Sequence, residues 1–133
     1  MKIRNAFVSI VAASALLAAL PVAAHHSFAA QYDRSKPVTL KGSVTKLDWI
    51  NPHAFIFMEV KESDGKVTKW EVELSAPAML MRNGWTRNSI KPGDAVTVQG
   101  SLAKDGSKLA NASSVTLADG KRVFAGSSSG DTP

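Results

Sequence analysis

Short segments in which apolar and polar residues alternate, separated by turns, constrain the fold of this chain most strongly. From Val38 to Val44, apolar residues recur with a period of two, as in a strand that buries one face. The alternation shifts by one residue at Leu47, which predicts a β-bulge near residues 45–46. The first strand is therefore expected to bend, as strands of small barrels do.

Two further strands are predicted directly after the first. Residues 54–60 are almost continuously apolar, which is typical of a central strand covered on both faces. The turn at 63–66 contains a glycine that supplies the positive φ of a hairpin. In the returning strand, residues 67–74, Glu71 and Glu73 lie opposite the apolar face, so we expect both to be exposed surface residues.

One short helix is predicted next, with Ser75 as its N-cap, Pro77 in its first turn and Gly84 closing it. Later strands are predicted at residues 95–102, 112–118 and 122–124. This order predicts an all-β fold, a small OB-fold-like Greek-key barrel with one short helix between the third and fourth strands. A generic small barrel or sandwich is the alternative.

The two ends of the chain differ from this domain. Lys2 and Arg4 precede an apolar run that ends in small residues at 22–24, the pattern of a cleaved secretory signal. The run is too short for a comfortable membrane span, so we expect a periplasmic protein without a membrane anchor after cleavage. The predicted organisation is a signal peptide at 1–24, an N-terminal extension at 25–37, the barrel at 38–125 and a disordered tail at 126–133.

Composition excludes several classes of function. The chain has no cysteine, so disulfides and thiolate metal sites are excluded. Removing Lys2 and Arg4 with the signal leaves 14 basic against 11 acidic residues, a net charge of +3, and the basic residues are scattered. Nucleic acid is therefore not an expected partner. No serine lies in a nucleophile-elbow pattern, and we predict that the protein is not an enzyme.

Three motifs occur together in the mature chain: His-His-Ser-Phe at 25–28, Trp-Ile-Asn-Pro-His-Ala at 49–54, and Gly-Trp-Thr-Arg at 84–87 followed by Lys-Pro-Gly-Asp at 91–94. This combination resembles a family of small exported proteobacterial proteins catalogued as a domain of unknown function. The resemblance covers essentially the whole mature chain. It implies a periplasmic location and a barrel fold, and it brings no activity with it.

The three histidines form the main candidate metal site. Cleavage after Ala24 would leave His25 at the N-terminus, where its amine and ring nitrogen can chelate one ion, with His26 and His53 as further ligands. Three such nitrogens suit Cu(II), and the arrangement resembles the histidine brace of exported copper proteins. Alternatively, His25 and His26 are a remnant of cleavage, and His53 only caps the second strand.

Aromatic residues suggest how the domain could bind a ligand and how its N-terminal segment packs. Trp49 and Trp85 lie at the ends of predicted elements, so we expect both to be surface aromatics that bind a ligand, whereas Trp70 belongs to the core. Phe28 and Tyr32, spaced i to i+4, are expected to hold residues 27–37 along the barrel near a partly exposed His53. Three methionines are expected to fill core gaps: Met58, Met79 and Met81.

Two hypotheses of different classes follow from these features. The leading one is a non-catalytic periplasmic binding or accessory module, whose partner is an unknown periplasmic protein or small ligand. The alternative is a copper-binding protein that uses the mature N-terminal His25 with His53, with Cu(II) as the candidate cofactor.

Overall fold

The computed structural model describes residues 28–126. The predicted signal peptide, His25, His26 and residues 127–133 of the tail lie outside the described residues. The elements are α1 (Phe28–Gln31), β1 (Tyr32–Asp48), β2 (Phe55–Lys61), β3 (Val67–Glu73), α2 (Pro77–Arg82), β4 (Ala95–Ala103), β5 (Leu109–Leu117) and β6 (Arg122–Phe124).

Five strands close into a ring. β1 pairs antiparallel with β2 on one side and with β4 on the other, β2 pairs with β3, and β4 pairs with β5. The ring is closed by a parallel pairing in which Glu71–Glu73 of β3 lie beside Leu109–Asn111 of β5. The short β6 is added to the free side of β5. This confirms the predicted OB-fold-like barrel with a helix between the third and fourth strands. None of the helices within residues 28–126 is long and apolar enough to cross a membrane.

The first strand is longer than its sequence pattern indicates. The register between β1 and β2 shifts between Val44 and Lys46, which confirms the predicted bulge. However, β1 begins at Tyr32 instead of Val38, since its first two residues pair with the end of β4. A second irregularity separates this pairing from Pro37, where proline cannot donate to the ladder. Half of the predicted N-terminal extension is therefore part of the barrel.

Two boundaries differ from prediction because distant strands determine them. Ser75 does not cap α2, because its backbone groups bond Ala54 and Ala125 and keep the chain extended. Ala76 occupies the N-cap position without a side-chain hydrogen bond. Gly84 ends the helix region with a φ of +87°, as predicted. β5 begins at Leu109, three residues before the predicted start, because the closing pair with β3 uses those residues.

Strand β2 has one buried face and one outward face. Ile56, Met58 and Val60 are buried in the barrel core, whereas Phe55 and Phe57 are half-buried and point outward. The prediction that both faces are covered is therefore wrong, since the residues that the structure describes leave the outer side of β2 only partly covered. The inner residues pack with those of the other strands into a single core cluster.

Close strand contacts in the barrel require two glycines. A Cβ atom at Gly42 would lie 2.0 Å from the carbonyl oxygen of Glu59, and one at Gly100 would lie 2.0 Å from that of Asn111. Both distances are far below van der Waals contact, so any side chain would force the strands apart. Gly100 lies at the register shift between β4 and β5.

Candidate functional site

The N-terminal segment packs on the barrel through two aromatic rings. Phe28 of α1 is 6% exposed and Tyr32 is 2% exposed, and their ring centroids lie 5.5 Å apart. With Ala103 they form a second apolar cluster, against which Leu109 packs. Lys104 donates a hydrogen bond from Nζ to the carbonyl oxygen of Ala29. The predicted i to i+4 anchor is confirmed, and it fixes α1 beside the β4–β5 hairpin.

Tyr32 connects this segment to the end of β3. Its hydroxyl donates a hydrogen bond to Oε2 of Glu73 at 2.5 Å. Glu73 is 6% exposed, so the prediction that it is a surface residue is wrong. The alternation in β3 correctly predicts that Glu73 lies on the outer face. However, β1 begins early, and its first residue, Tyr32, packs against that face and buries the Glu73 side chain.

The Tyr32 hydroxyl is held in its neutral, donating form. Burial raises the pKa of Tyr32 far above its ordinary value, and the hydrogen bond to Glu73 and the negative charge of that carboxylate raise it further. Tyr32 therefore remains a hydrogen-bond donor to Glu73 throughout the physiological pH range. The Tyr32 hydrogen bond thereby occupies Oε2 of Glu73, whereas Oε1 points away from Tyr32.

His53 lies on the other side of the same carboxylate. Its side chain is 28% exposed, which confirms the predicted partial accessibility. Its Nδ1 atom is nevertheless buried and has no hydrogen-bond partner among residues 28–126, and it lies 3.9 Å from Oε1 of Glu73. This distance exceeds that of a hydrogen bond. An imidazole nitrogen and a carboxylate oxygen thus face each other without direct bonding.

A fourth polar side chain lies beside Glu73 in the sheet. Asn111 is the register partner of Glu73 in the closing β3–β5 pair, and it is 2% exposed. Its Nδ2 atom also has no hydrogen-bond partner in the part of the chain that the structure describes. We call Tyr32, His53, Glu73 and Asn111 the polar cluster. Unpaired buried polar atoms are uncommon, so two of them in one cluster identify it as a candidate site.

The polar cluster contains one of the three predicted metal ligands. His53 is present and has a free nitrogen, whereas His25 and His26 lie outside the described residues. Between residues 28 and 126, no group of three or more His, Cys, Asp or Glu side chains could hold a metal ion. The described residues therefore supply a pair of potential ligands, His53 and Glu73, and a third would have to come from elsewhere.

The predicted ligand-binding tryptophans have different environments. Trp85 is 2% exposed, so its prediction as a surface aromatic is wrong. The turn at Gly84 directs it into the core, and its backbone N–H donates to Leu80. Trp49 is partly buried against the same core and keeps an accessible portion. Trp70 is a core residue, as predicted, and Nζ of Lys108 lies 5.1 Å from its ring centroid.

The methionines are not equivalent either. Met58 is 1% exposed and belongs to the core, as predicted. Met79 and Met81 are 42% and 55% exposed, so the prediction that they pack in the core is wrong. Helix α2 is only six residues long, and it buries Pro77 and Leu80 instead.

A depression on the outer side of β2 and β3 is the second candidate site, and the sequence interpretation missed it. It has a volume of about 370 Å³. Phe57 lies within it, paired with Lys46 on β1 and with Glu71 on β3, and the Lys46 ammonium is 5.3 Å from the ring centroid. The alternation of Phe55, Phe57 and Glu59 could have revealed this outward face. Its lining includes Thr45, Phe57, Glu59, Lys69, Glu71 and Lys108.

Comparison with known proteins places the chain in a family. A family model described as a family of unknown function, DUF6152, matches residues 12–112. A search of curated proteins finds no match to this chain. The match covers most of the chain, including the polar cluster and β1 to β4, and it confirms the resemblance to a family without an assigned function. The chain belongs to the DUF6152 family.

Proposed function

We propose that this protein is a non-catalytic periplasmic binding or accessory module whose ligand docks in the depression on the outer side of β2 and β3. The observation that carries the proposal is Phe57, an aromatic ring that stays half-buried on an open sheet face, although the barrel core lies on the other side of its strand. OB-folds bind their ligands on this face. The periplasmic location rests on the N-terminal signal pattern.

The side chains around Phe57 restrict the chemistry of the ligand. The ring offers a flat apolar surface for stacking, and lysine and glutamate side chains lie on both sides of it. Glu59 and Glu71 would repel the phosphates of a nucleic acid. A peptide segment or small molecule that combines an apolar or planar group with both signs of charge fits this surface best.

The test is a fragment screen by NMR on the mature protein, using small aromatic compounds that carry amino or carboxylate groups. We expect shift changes at Phe57, Lys69 and Lys108, and their loss in Phe57→Ala. Phe55→Ala is the matched control, since Phe55 is half-buried on the same face of β2 but outside the lining of the depression. Equal binding by wild type and Phe57→Ala would refute the proposed docking surface. Turnover that persists through extensive purification would refute the non-catalytic assignment.

A second candidate function, copper binding, is favoured by the free Nδ1 atom of His53. This buried nitrogen lacks a partner within the described part of the chain, which is the state a metal ligand has before its ion binds. His25 and His26 precede the anchored Phe28 by three and two residues. The predicted N-terminal chelate would therefore directly precede a segment that packs on the barrel.

A Cu(II) titration of the mature protein tests this second function. Replacing His53 with alanine should lower the affinity by one to two orders of magnitude, about 1.4–2.8 kcal/mol. Equal affinity in wild type and His53→Ala would leave only a chelate at the N-terminus. Intact mass of the secreted protein is the necessary control, because a chain that does not begin at His25 cannot form the amine chelate.

A further inference from the structure

We propose that the ligand of the depression on β2 and β3 is a small zwitterion with a planar ring, of the chemical class of the aromatic α-amino acids. Glu59 binds its ammonium group, Lys69 binds its carboxylate, and its ring stacks on Phe57. The inference rests on the proposed docking surface and deepens it by naming the class of ligand. The arrangement of the charged side chains around Phe57 carries it.

Side chains of opposite charge are neighbours in the lining of the depression. Glu59 of β2 is the register partner of Lys69 on β3, and such partners lie on one face with Cβ atoms about 4.5–5.5 Å apart. Glu71 is the register partner of Phe57, and its backbone N–H donates to the carbonyl oxygen of Lys108. Phe57 therefore lies beside both glutamates, and each glutamate has a lysine as its neighbour.

These neighbouring charges do not neutralise one another. Among residues 28–126, no ion pair joins either glutamate of the lining to either lysine. Glu59 is also half-buried, and a carboxylate that is partly removed from water gains most from a cationic partner. Lys46 differs, because its ammonium lies 2.7 Å from Oδ1 of Asp48. Glu59 and Lys69 are therefore available to charged groups of a ligand.

The balance of charge in the lining favours a zwitterion. The depression contains equal numbers of carboxylates and ammonium groups, so a ligand of one sign is repelled by half of them. A ligand with both signs gains from a glutamate and a lysine together. The ammonium and carboxylate of an α-amino acid are attached to one carbon, which suits the close spacing of Glu59 and Lys69. Charges at the two ends of an extended molecule are too far apart for it.

Phe57 restricts the class further. Its ring is half-buried on the outer face of β2, next to Glu59 on the same strand and opposite Glu71 on β3. A planar ring attached to the zwitterionic carbon can stack on this surface while its charged groups stay over β2 and β3. An aliphatic amino acid would keep the charge contacts and lose the ring contact, so we assign the site to the aromatic members of the class.

The experiment is an NMR titration of the mature protein with three matched probes. L-phenylalanine carries both charges, phenethylamine lacks the carboxylate, and 3-phenylpropionate lacks the ammonium group. We expect L-phenylalanine to shift the amide signals of Phe57, Glu59 and Lys69. It should bind about two- to fivefold more tightly than either probe with a single charge, the range that an exposed ion pair gives.

Variants assign the two charges. Glu59→Gln should lower the affinity for L-phenylalanine to that for 3-phenylpropionate, without weakening 3-phenylpropionate itself. Lys69→Gln should lower it to the affinity for phenethylamine, without weakening phenethylamine. Glu62→Gln and Lys61→Gln are the matched controls, because both residues are exposed and lie outside the lining, and both variants should bind like wild type.

The possible failures of this inference differ from those of the docking surface. If all three probes bind equally and Phe57→Ala abolishes their binding, the docking surface stands and the zwitterion assignment is wrong. If one probe with a single charge binds as tightly as L-phenylalanine, the assignment is wrong as well. If no probe shifts the signals of the lining, the assignment is again wrong, and the fragment screen decides separately whether the surface binds other ligands.

Discussion

The buried hydroxyl of Tyr32 leads to a prediction about alkaline pH that a single chromophore can test. Tyr32 is the only tyrosine of the chain, so every tyrosinate signal arises from it. Burial and the neighbouring Glu73 carboxylate raise its pKa in the folded protein. We therefore expect no tyrosinate absorbance from the folded protein at pH 11, where a free tyrosine, with a pKa of about 10, is mostly ionised.

The energetic consequence follows from proton linkage. Because the pKa of Tyr32 is raised in the folded state, its contribution to stability is complete below about pH 10 and decreases as the pH rises beyond that value. Each pH unit above 10 then costs about 1.4 kcal/mol, because only the unfolded chain loses the proton. Between pH 9.5 and pH 11.5 the loss amounts to about 2 kcal/mol.

Comparison with Tyr32→Phe separates the contribution of Tyr32 to the pH dependence of stability from the contribution of lysine titration. At neutral pH the variant should be less stable by about 1.5–3 kcal/mol, since it loses a hydrogen bond to a charged group. Urea unfolding at several pH values should show that the difference from wild type shrinks by about 2 kcal/mol by pH 11.5. A tyrosinate transition near pH 10 in protein with native circular dichroism would refute the assignment of Tyr32 as a buried donor.

Further variants test the packing of the barrel. Gly100→Ala should destabilise the protein by about 2 kcal/mol or more, because its Cβ would overlap a backbone carbonyl, whereas the neighbouring Ser101→Ala should change little in the same urea titration. Trp85→Ala should cost about 3–5 kcal/mol as a core deletion and Trp49→Ala clearly less; similar costs would contradict their different burial. Phe28→Ala should accelerate amide exchange in α1 and at the start of β1, and unchanged exchange would mean that Phe28 is not the anchor.

Local patterns were sufficient to predict the barrel and its turns. The bulge after Val44 could be inferred because the apolar period shifts by one residue there, and an extra residue in one strand produces such a shift of parity. The hairpin turn at Gly65 and the end of α2 at Gly84 could be inferred because glycine readily adopts the positive φ that such positions need. Both glycines do adopt positive φ. These features depend on neighbours along the chain, which the sequence displays directly.

The candidate sites could not be predicted in the same way, because they depend on which segment covers which face. Alternation along β3 indicates the direction in which Glu73 points, but it contains no information about Tyr32, which is 41 residues away. Likewise, alternation cannot show whether the outer face of β2 is covered, so the apolar run around Phe57 predicts a covered strand although that face is open. Trp85 lies at the end of an element, and the direction of the following loop determines its burial.

The early start of β1 accounts for the polar cluster. If β1 began at Val38, Tyr32 would not be held over the end of β3, and we would expect Glu73 to face solvent as its neighbour Glu71 does. Pairing of Tyr32 with β4 brings the hydroxyl to Glu73, buries the carboxylate and leaves one oxygen directed at His53. The same pairing anchors the chain a few residues after the predicted cleavage site.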